Sequence, residues 1–469
     1  MRGGLTRRQG KVGWIPDAAL GEAMSLSALL DERAATGQPI RVGLIGAGKF
    51  GTLFLAQARR MPGLHVAAVA DTDAERGPTA LALAQWPPAK AVARSLADAL
   101  AGGGTWVTTD PLALFEHPGL DVVVEATSGA AQGIRHALAA IDRGVHVVMV
   151  NLAADSLAGP LLATQARDKG LVYSLAYGDL PALICELVDW ARACGLEVAA
   201  AGRGVRWLPG YQTATPETVW QYWGTTPERA KAAGLNPRIF TASVDGSRTA
   251  LQLAAVANAT GLRAPAAGLA AAPCGAHDLA RILKPHWDGG RLADMGMVET
   301  VSSLEPDGRA VFNDLRWGAF VTFRSPAEYA SQCFNEYGLP TDGDGGYAAR
   351  WRSHHMAGME AGISVASAAL LAVPTGCPVT FAADVVAVAK NDLAAGTELD
   401  GVGGFAVYGR LLPAEDSVRQ GFLPLALAQG VSLVRPVPAG HTLTWADVAL
   451  AEDDPLLALR RELEQWLRV

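Results

Sequence analysis

Cysteine is scarce: five in 469 residues, at positions 185, 194, 274, 333 and 377, with no two in a Cys-x-x-Cys spacing. That excludes a disulfide framework or a thiolate zinc site and leaves isolated thiols in a reducing compartment. Long apolar runs are missing too. None reaches the roughly 18 residues of a membrane span, and the first 25 residues lack the apolar core of a secretory signal. The expectation is a soluble cytoplasmic protein with no membrane partner, in which residues 1–23 form a flexible extension. Positive charge is not in excess either. With 39 basic and 46 acidic residues, the net charge of −7 gives no reason to expect a nucleic-acid partner. The nine histidines form no His-x-His or His-Glu-x-x-His metal signature, and no Gly-x-Ser-x-Gly elbow or kinase motif occurs.

What is present is half hydrophobic and 18% charged, enough for two or three buried cores. Apolar runs at 39–45, 64–70, 106–108, 122–125 and 145–150 read as strands. Helical spacing at 25–37, 52–60, 89–101 and 130–143 alternates with them. Repeated βα units require a mostly parallel sheet covered on both faces. The fold class expected is α/β: a Rossmann-type domain over 24–180, then a mixed α/β substrate and oligomerisation domain over 181–379. A small β-rich domain follows at 380–454, and a terminal helix at 455–469. Further helices are expected at 181–194, 249–260 and, from its small-residue composition, 355–371. Two related phrases, KNDLAAGTEL at 390–399 and RPVPAGHTL at 435–443, suggest a small β-rich module, though two loose phrases do not make a solenoid.

The sharpest motif is Gly46-Ala47-Gly48-Lys49-Phe50-Gly51, between a strand and a helix, with Asp71 closing the next strand. In that context a Gly-x-Gly-x-x-Gly turn is a dinucleotide fingerprint. Gly46 makes the turn, Gly48 lets a pyrophosphate reach the backbone, and Gly51 lets helix and sheet pack. Lys49 and Phe50 open the helix whose free N–H groups meet the phosphates. Asp71 favours a ribose diol, hence NAD, while nearby Arg76 keeps NADP open. Thr127, Ser128 and Asn151 follow the next strands and are candidates for the nicotinamide side. Each also suits a simple helix cap.

Stretches 43–60, 148–160, 176–190, 255–262, 298–304, 358–367 and 385–407 together resemble a bacterial oxidoreductase family. It joins a homoserine-dehydrogenase-like core to a C-terminal SAF domain and includes the 1-deoxy-D-xylulose 5-phosphate reductoisomerase-like enzymes. The resemblance implies NAD(P)-dependent chemistry on a small polar carbonyl or hydroxy compound, a homodimer, and in the reductoisomerase-like members a divalent metal. It also exposes departures. Ala153 stands where the family carries Glu, and Arg203, Arg206 and Arg248 stand where it carries Lys. Arginine keeps the charge for an anionic substrate but does not transfer protons. Asp179, Asp245 and Arg248 are the catalytic candidates, Asp245 and Arg248 as a pair. Arg203, Arg206, Tyr177 and His355 are candidates for substrate binding. The departures leave a second reading open: a nucleotide-binding sensor or structural paralogue with weak or no turnover.

Overall fold

In the computed structural model, residues 25–451 and 453–467 are described; the expected extension at 1–23 lies outside them. Six parallel strands form the first sheet: β1 (Ile40–Ile45), β2 (Leu64–Ala70), β3 (Trp106–Thr108), β4 (Val122–Glu125), β5 (His146–Met149) and β6 (Tyr173–Leu175). Their order is 3-2-1-4-5-6, which reverses between β1 and β4 and opens a crevice beyond the strands' carboxyl ends. The central strands are buried on both faces, which is why they read as continuous Val/Ala/Leu runs rather than alternating ones.

The second sheet is mixed. β7 (Glu197–Val205), β8 (Ala272–Pro273), β9 (Met297–Ser302), β10 (Ala319–Arg324) and β11 (Ala348–Arg352) lie in the order 11-10-7-9-8. The C-terminal part pairs β12 (Ala383–Ala389) with β14 (Val407–Pro413). It also joins β13 (Glu398–Asp400), β15 (Gln429–Leu433) and β16 (Val448–Ala449) into a small antiparallel sheet. The two related phrases meet: Leu393 and Val437 exchange backbone hydrogen bonds in both directions, at 2.8 and 2.9 Å.

Several expected elements differ. A helix at Leu152–Asp168, with Pro160 inside it, was not foreseen, nor was one at Arg76–Leu83. The span expected as one helix at 89–101 breaks into a turn at Pro88–Lys90 and a helix at Leu96–Gly102. The long helix expected at 355–371 shrinks to Gly362–Ala366 and a wide turn at Ser367–Leu371. Gly358 is the reason: its φ of +84° turns the chain against the backbone of Phe50, where a Cβ would sit 2.6 Å from the Phe50 carbonyl oxygen.

One helix, Ser247–Thr260, connects everything. It packs on helices Leu152–Asp168 and Leu180–Ala193, on β9, and on β12 and β14. Its Asn258 accepts from the amides of Ala382 and Ala383, both at 2.9 Å, and its Ser247 hydroxyl accepts from Gly409 N at 2.8 Å. The terminal helix Pro455–Gln465 packs back on Leu152–Asp168. Its fully buried Arg460 grips Asp384 with two nitrogens, at 3.1 and 2.6 Å, and Glu464 at 2.9 Å. Among the described residues, no helix is long and apolar enough to cross a membrane.

A second buried pair ties the C-terminal part down: Lys390 Nζ lies 2.8 Å from Asp245, both side chains without solvent exposure. Removing one partner of such a pair strands the other charge, at a cost of about 3–5 kcal/mol. Lys390→Met is therefore expected to lower unfolding stability by about that amount in chemical denaturation. Truncation after Thr380, which bares β12's apolar partners, is expected to reduce solubility as well. A monodisperse truncated chain with unchanged melting temperature contradicts this account.

Candidate functional site

The glycine turn sits at the switch point. Gly46 has φ +99°, and a Cβ there would lie 2.7 Å from the backbone of Ala126, in the loop after β4. A Cβ on Gly51 would come within 2.2 Å of the Gly46 carbonyl oxygen, so helix Lys49–Ala58 can approach the strand only with glycine here. Gly48 caps that helix with no side chain, has nothing within 4 Å of its would-be Cβ, and leaves the helix start open to an anion. Lys49 is exposed beside it, and Phe50 is half-buried. This geometry fits a dinucleotide pyrophosphate.

Asp71 is buried and holds the turn itself. Its carboxylate accepts from Ala47 N at 2.8 Å and from Asp73 N at 3.0 Å. With Asp73, Gly77, Pro78 and Thr108 it lines a cleft of about 440 Å³ beside the glycine turn. Arg76, the residue that kept NADP open, pairs with Asp73 at 3.4 Å on the surface. On the other side of the crevice, Asn151 caps the helix Leu152–Asp168 through Ala154 N at 3.1 Å. It donates to the Thr127 hydroxyl at 3.2 Å and to Gly129 O at 2.8 Å. Thr127 in turn bonds the buried Glu125, which also meets His136 at 3.2 Å. Asn151 therefore caps the helix, as one of its two readings expected, and also braces the β4 loop. Ser128 points to solvent.

The candidate substrate residues divide into two groups. Asp179 caps helix Leu180–Ala193 through Leu180 N at 2.8 Å and accepts from Gln252 Nε2 at 2.9 Å. The Gln252 oxygen accepts from buried Arg203, and Arg248 Nη2 stands 3.5 Å from the second Asp179 oxygen. Arg248 and Gln252 are four residues apart, hence on one helix face. His355 completes the group. Its Nδ1 lies 2.8 Å from Trp317 O, and its ring feels the charges of Asp179, Arg203 and Arg248. Burial pushes His355 below its usual 6.5, the neighbouring arginines in the same direction. Burial likewise brings Arg203 down to about 10.

Asp245 is not part of that group, and its expected pairing with Arg248 is corrected. Its carboxylate caps Ser247 N at 2.9 Å and meets Lys390. Gly246, at φ +90°, breaks the chain between Asp245 and the helix start, so Asp245 faces the C-terminal strands and Arg248 does not. Tyr177 is also elsewhere: its hydroxyl donates to Glu186 and accepts from Arg352, both at 2.8 Å. Arg206 lies beyond the end of β7, near Arg316, which stacks on Trp223 and Trp317. Asp155 is enclosed in the core, bonded to the Tyr173 hydroxyl at 2.9 Å, and burial pushes it up to about 7. Sequence reasoning missed Gln252 and Lys390. The first looks like any helical residue; the second was visible only as the charge opening the KNDL phrase.

A divalent metal does not fit the side chains present. Among the described residues no three His, Cys, Asp or Glu side chains converge, and the family's Glu is Ala153 here.

Comparison with known proteins gives two family matches. Residues 40–150 match the oxidoreductase family with an NAD-binding Rossmann fold, and residues 178–361 match the catalytic domain of oxidoreductase DRL. No curated protein matches the chain. Among solved structures, myo-inositol dehydrogenase from Lactobacillus casei is 19% identical, with a TM-score of 0.28, over 39% of this chain and 50% of that one. Biliverdin reductase from Synechocystis sp. PCC 6803 is 20% identical, with a TM-score of 0.26, over 36% and 48%. The chain thus spans half or less of the length of these structures. The family matches and the nucleotide cradle thus mark a Rossmann-type NAD(P)-binding domain of the oxidoreductase kind over 40–150, followed at 178–361 by a segment similar to an oxidoreductase catalytic domain.

Two acidic side chains in the cleft beside the glycine turn repel a 2′-phosphate. Titration under one set of conditions is expected to show NADH binding roughly tenfold tighter than NADPH, about 1.4 kcal/mol. The reverse order would remove Asp71 and Asp73 from cofactor selection.

Proposed function

We propose that the substrate is a small anionic carbonyl or hydroxy compound, phosphorylated or carboxylated, held against Arg203, Arg248 and Asp179. One observation carries this reading. Two arginines and a carboxylate, tied together by Gln252 and flanked by His355, lie where the chain leaves the Rossmann sheet after β6. The Gly358 turn joins that spot to the cofactor helix. Nicotinamide, when bound, supplies or accepts the hydride. The chain's own residues do the remaining work. Arg203 and Arg248 offer fixed charge to the substrate oxygen as its negative charge develops, and Asp179 holds Arg248 in place.

Neither arginine can move a proton, which leaves His355 for that step. Its Nδ1–H donates to Trp317 O, so the neutral ring keeps its lone pair on Nε2, available to the substrate hydroxyl. The resemblance supports a dimer built on 181–379 and an SAF-like identity for the C-terminal strands. Reductoisomerase-like activity on 1-deoxy-D-xylulose 5-phosphate is a narrower version, which rests on the sequence resemblance alone. The side chains present do not fit the metal of that reaction. The Lys-to-Arg departures favour a second reading, a sensor that binds nucleotide without turnover. Tight NADH binding with no hydride transfer to any phosphorylated or carboxylated carbonyl compound would select it.

Two variants test the assignment. Arg248→Ala is expected to lower kcat/KM by roughly tenfold or more, the range of a charge-assisted contact, with nucleotide affinity unchanged. Equal kinetics reject the role. His355→Gln is expected to cost about 10²–10⁴ in kcat. In the alcohol-oxidising direction the wild type should lose activity as pH falls below 6.5, through the lowered His355 value, because the protonated ring no longer accepts a proton. That acidic limb should vanish in the variant. A limb that persists assigns the proton to another group.

A further inference from the structure

A second cavity lies on another face of helix Ser247–Thr260, between the substrate domain and the C-terminal strands. Arg248 and Gln252 face the catalytic group; Thr249 and Ala250, a quarter-turn or more around, face this cavity. Its volume is about 90 Å³, room for roughly six to eight water-sized groups. One wall comes from β14, with Tyr408 and Arg410, and the opposite wall from Trp207 and Thr300.

The walls show what kind of occupant fits. Arg410 is in no ion pair among the described residues. Its Nη2 donates to the Thr442 hydroxyl at 2.9 Å, while its Nε is buried with no partner. The partly exposed guanidinium lines the cavity without a carboxylate of the described residues to hold it, and a ligand carboxylate would give it a charge-assisted bond. Glycine at 268, with φ +86°, keeps the wall thin beside Arg410, where a Cβ would touch its Cγ at 3.4 Å. The one acid on the lining, Asp245, is already neutralised by Lys390. A single unpaired cation and that nearby carboxylate suit a monoanion better than a dianion. Val205, Leu269 and Leu411 supply apolar surface for a short carbon chain.

We propose that this cavity is a second ligand site, separate from the catalytic group, which takes a small monocarboxylate seated on Arg410. The proposal is independent of whether hydride is transferred at the first site. Saturation-transfer NMR on the full chain, with propionate and butyrate as probes, which carry no keto or hydroxyl group to react, tests it. Wild type and Arg248→Ala are expected to bind both acids alike, and Arg410→Met to lose at least roughly tenfold in affinity, about 1.4 kcal/mol. Thr249→Leu, which fills the cavity from the helix side, should lose binding as well and covers the case in which Arg410→Met fails to fold. Inorganic phosphate should compete poorly. Binding that survives both cavity variants overturns the proposal. So does binding lost only in Arg248→Ala, which would move the acids to the catalytic group, and so does no binding to the wild type at tens of millimolar.

Discussion

A helix buried on every side must find a partner for each polar group it carries, and that constraint organises this molecule. Helix Ser247–Thr260 is enclosed along nearly its whole length, yet it keeps Ser247, Gln252 and Asn258. Each is satisfied by a different part of the chain. Ser247 takes the Gly409 amide of β14, Gln252 joins Asp179 to Arg203, and Asn258 holds the entry to β12. An unpaired polar group in such a place costs about 1–3 kcal/mol, so the three bonds fix the rotation of the helix as well as its position. Rotation matters because it decides which residues face Asp179 and Arg203 and which face the C-terminal strands.

The same constraint sets the electrostatics of the catalytic group. Asp179 divides its two oxygens: one caps its own helix and accepts from Gln252, the other faces Arg248. A half-exposed arginine on flexible methylenes would otherwise sample many positions. Arg203, by contrast, is buried against the sheet, and its charge is tolerated because Gln252 and the Gly204 carbonyl take its N–H groups. The result is one fixed and one adjustable cation around a single carboxylate, the surplus of positive charge on which the proposed anionic substrate rests.

How much of this was legible in the sequence follows from how local each determinant is. The glycine turn and the strands of the first sheet were readable because adjacent residues encode them: Gly46 needs its positive φ, and buried parallel strands are uniformly apolar. Gly358 also acts locally, but its effect depends on Phe50, some 300 positions away, so a small-residue run at 355–371 looked like one helix. The pairing of Asp245 with Arg248, which rested on the family resemblance, failed for the same reason: the partners that claim the two side chains, Lys390 and Asp179, are both distant in sequence. Gln252 and Lys390 earn their places entirely through partners distant in sequence. Pro160 and the alanine-rich run around it gave no amphipathic stripe for helix Leu152–Asp168, because that helix is buried nearly all round.

Two buried ionic clusters fasten the C-terminal strands: Asp245 with Lys390, and Asp384 with Arg460 and Glu464. Burying charges costs desolvation that their attraction barely repays, so apolar side chains would hold two surfaces together as well. What charges add is intolerance of misplacement. A one-residue slip in β12 flips its side chains to the other face and would strand Asp384 away from Arg460. Apolar contacts of Val386 and Val388 could re-form after such a slip, whereas the bidentate pair could not. The module's first strand is thereby held in register with helix Ser247–Thr260, and β14 follows through its ladder with β12. Register in β14 is what brings Gly409 onto the Ser247 hydroxyl and Arg410 beside the helix. The buried charges of the C-terminal part therefore reach, through one strand pair and one helix, to the rotation that aims Arg248 at Asp179.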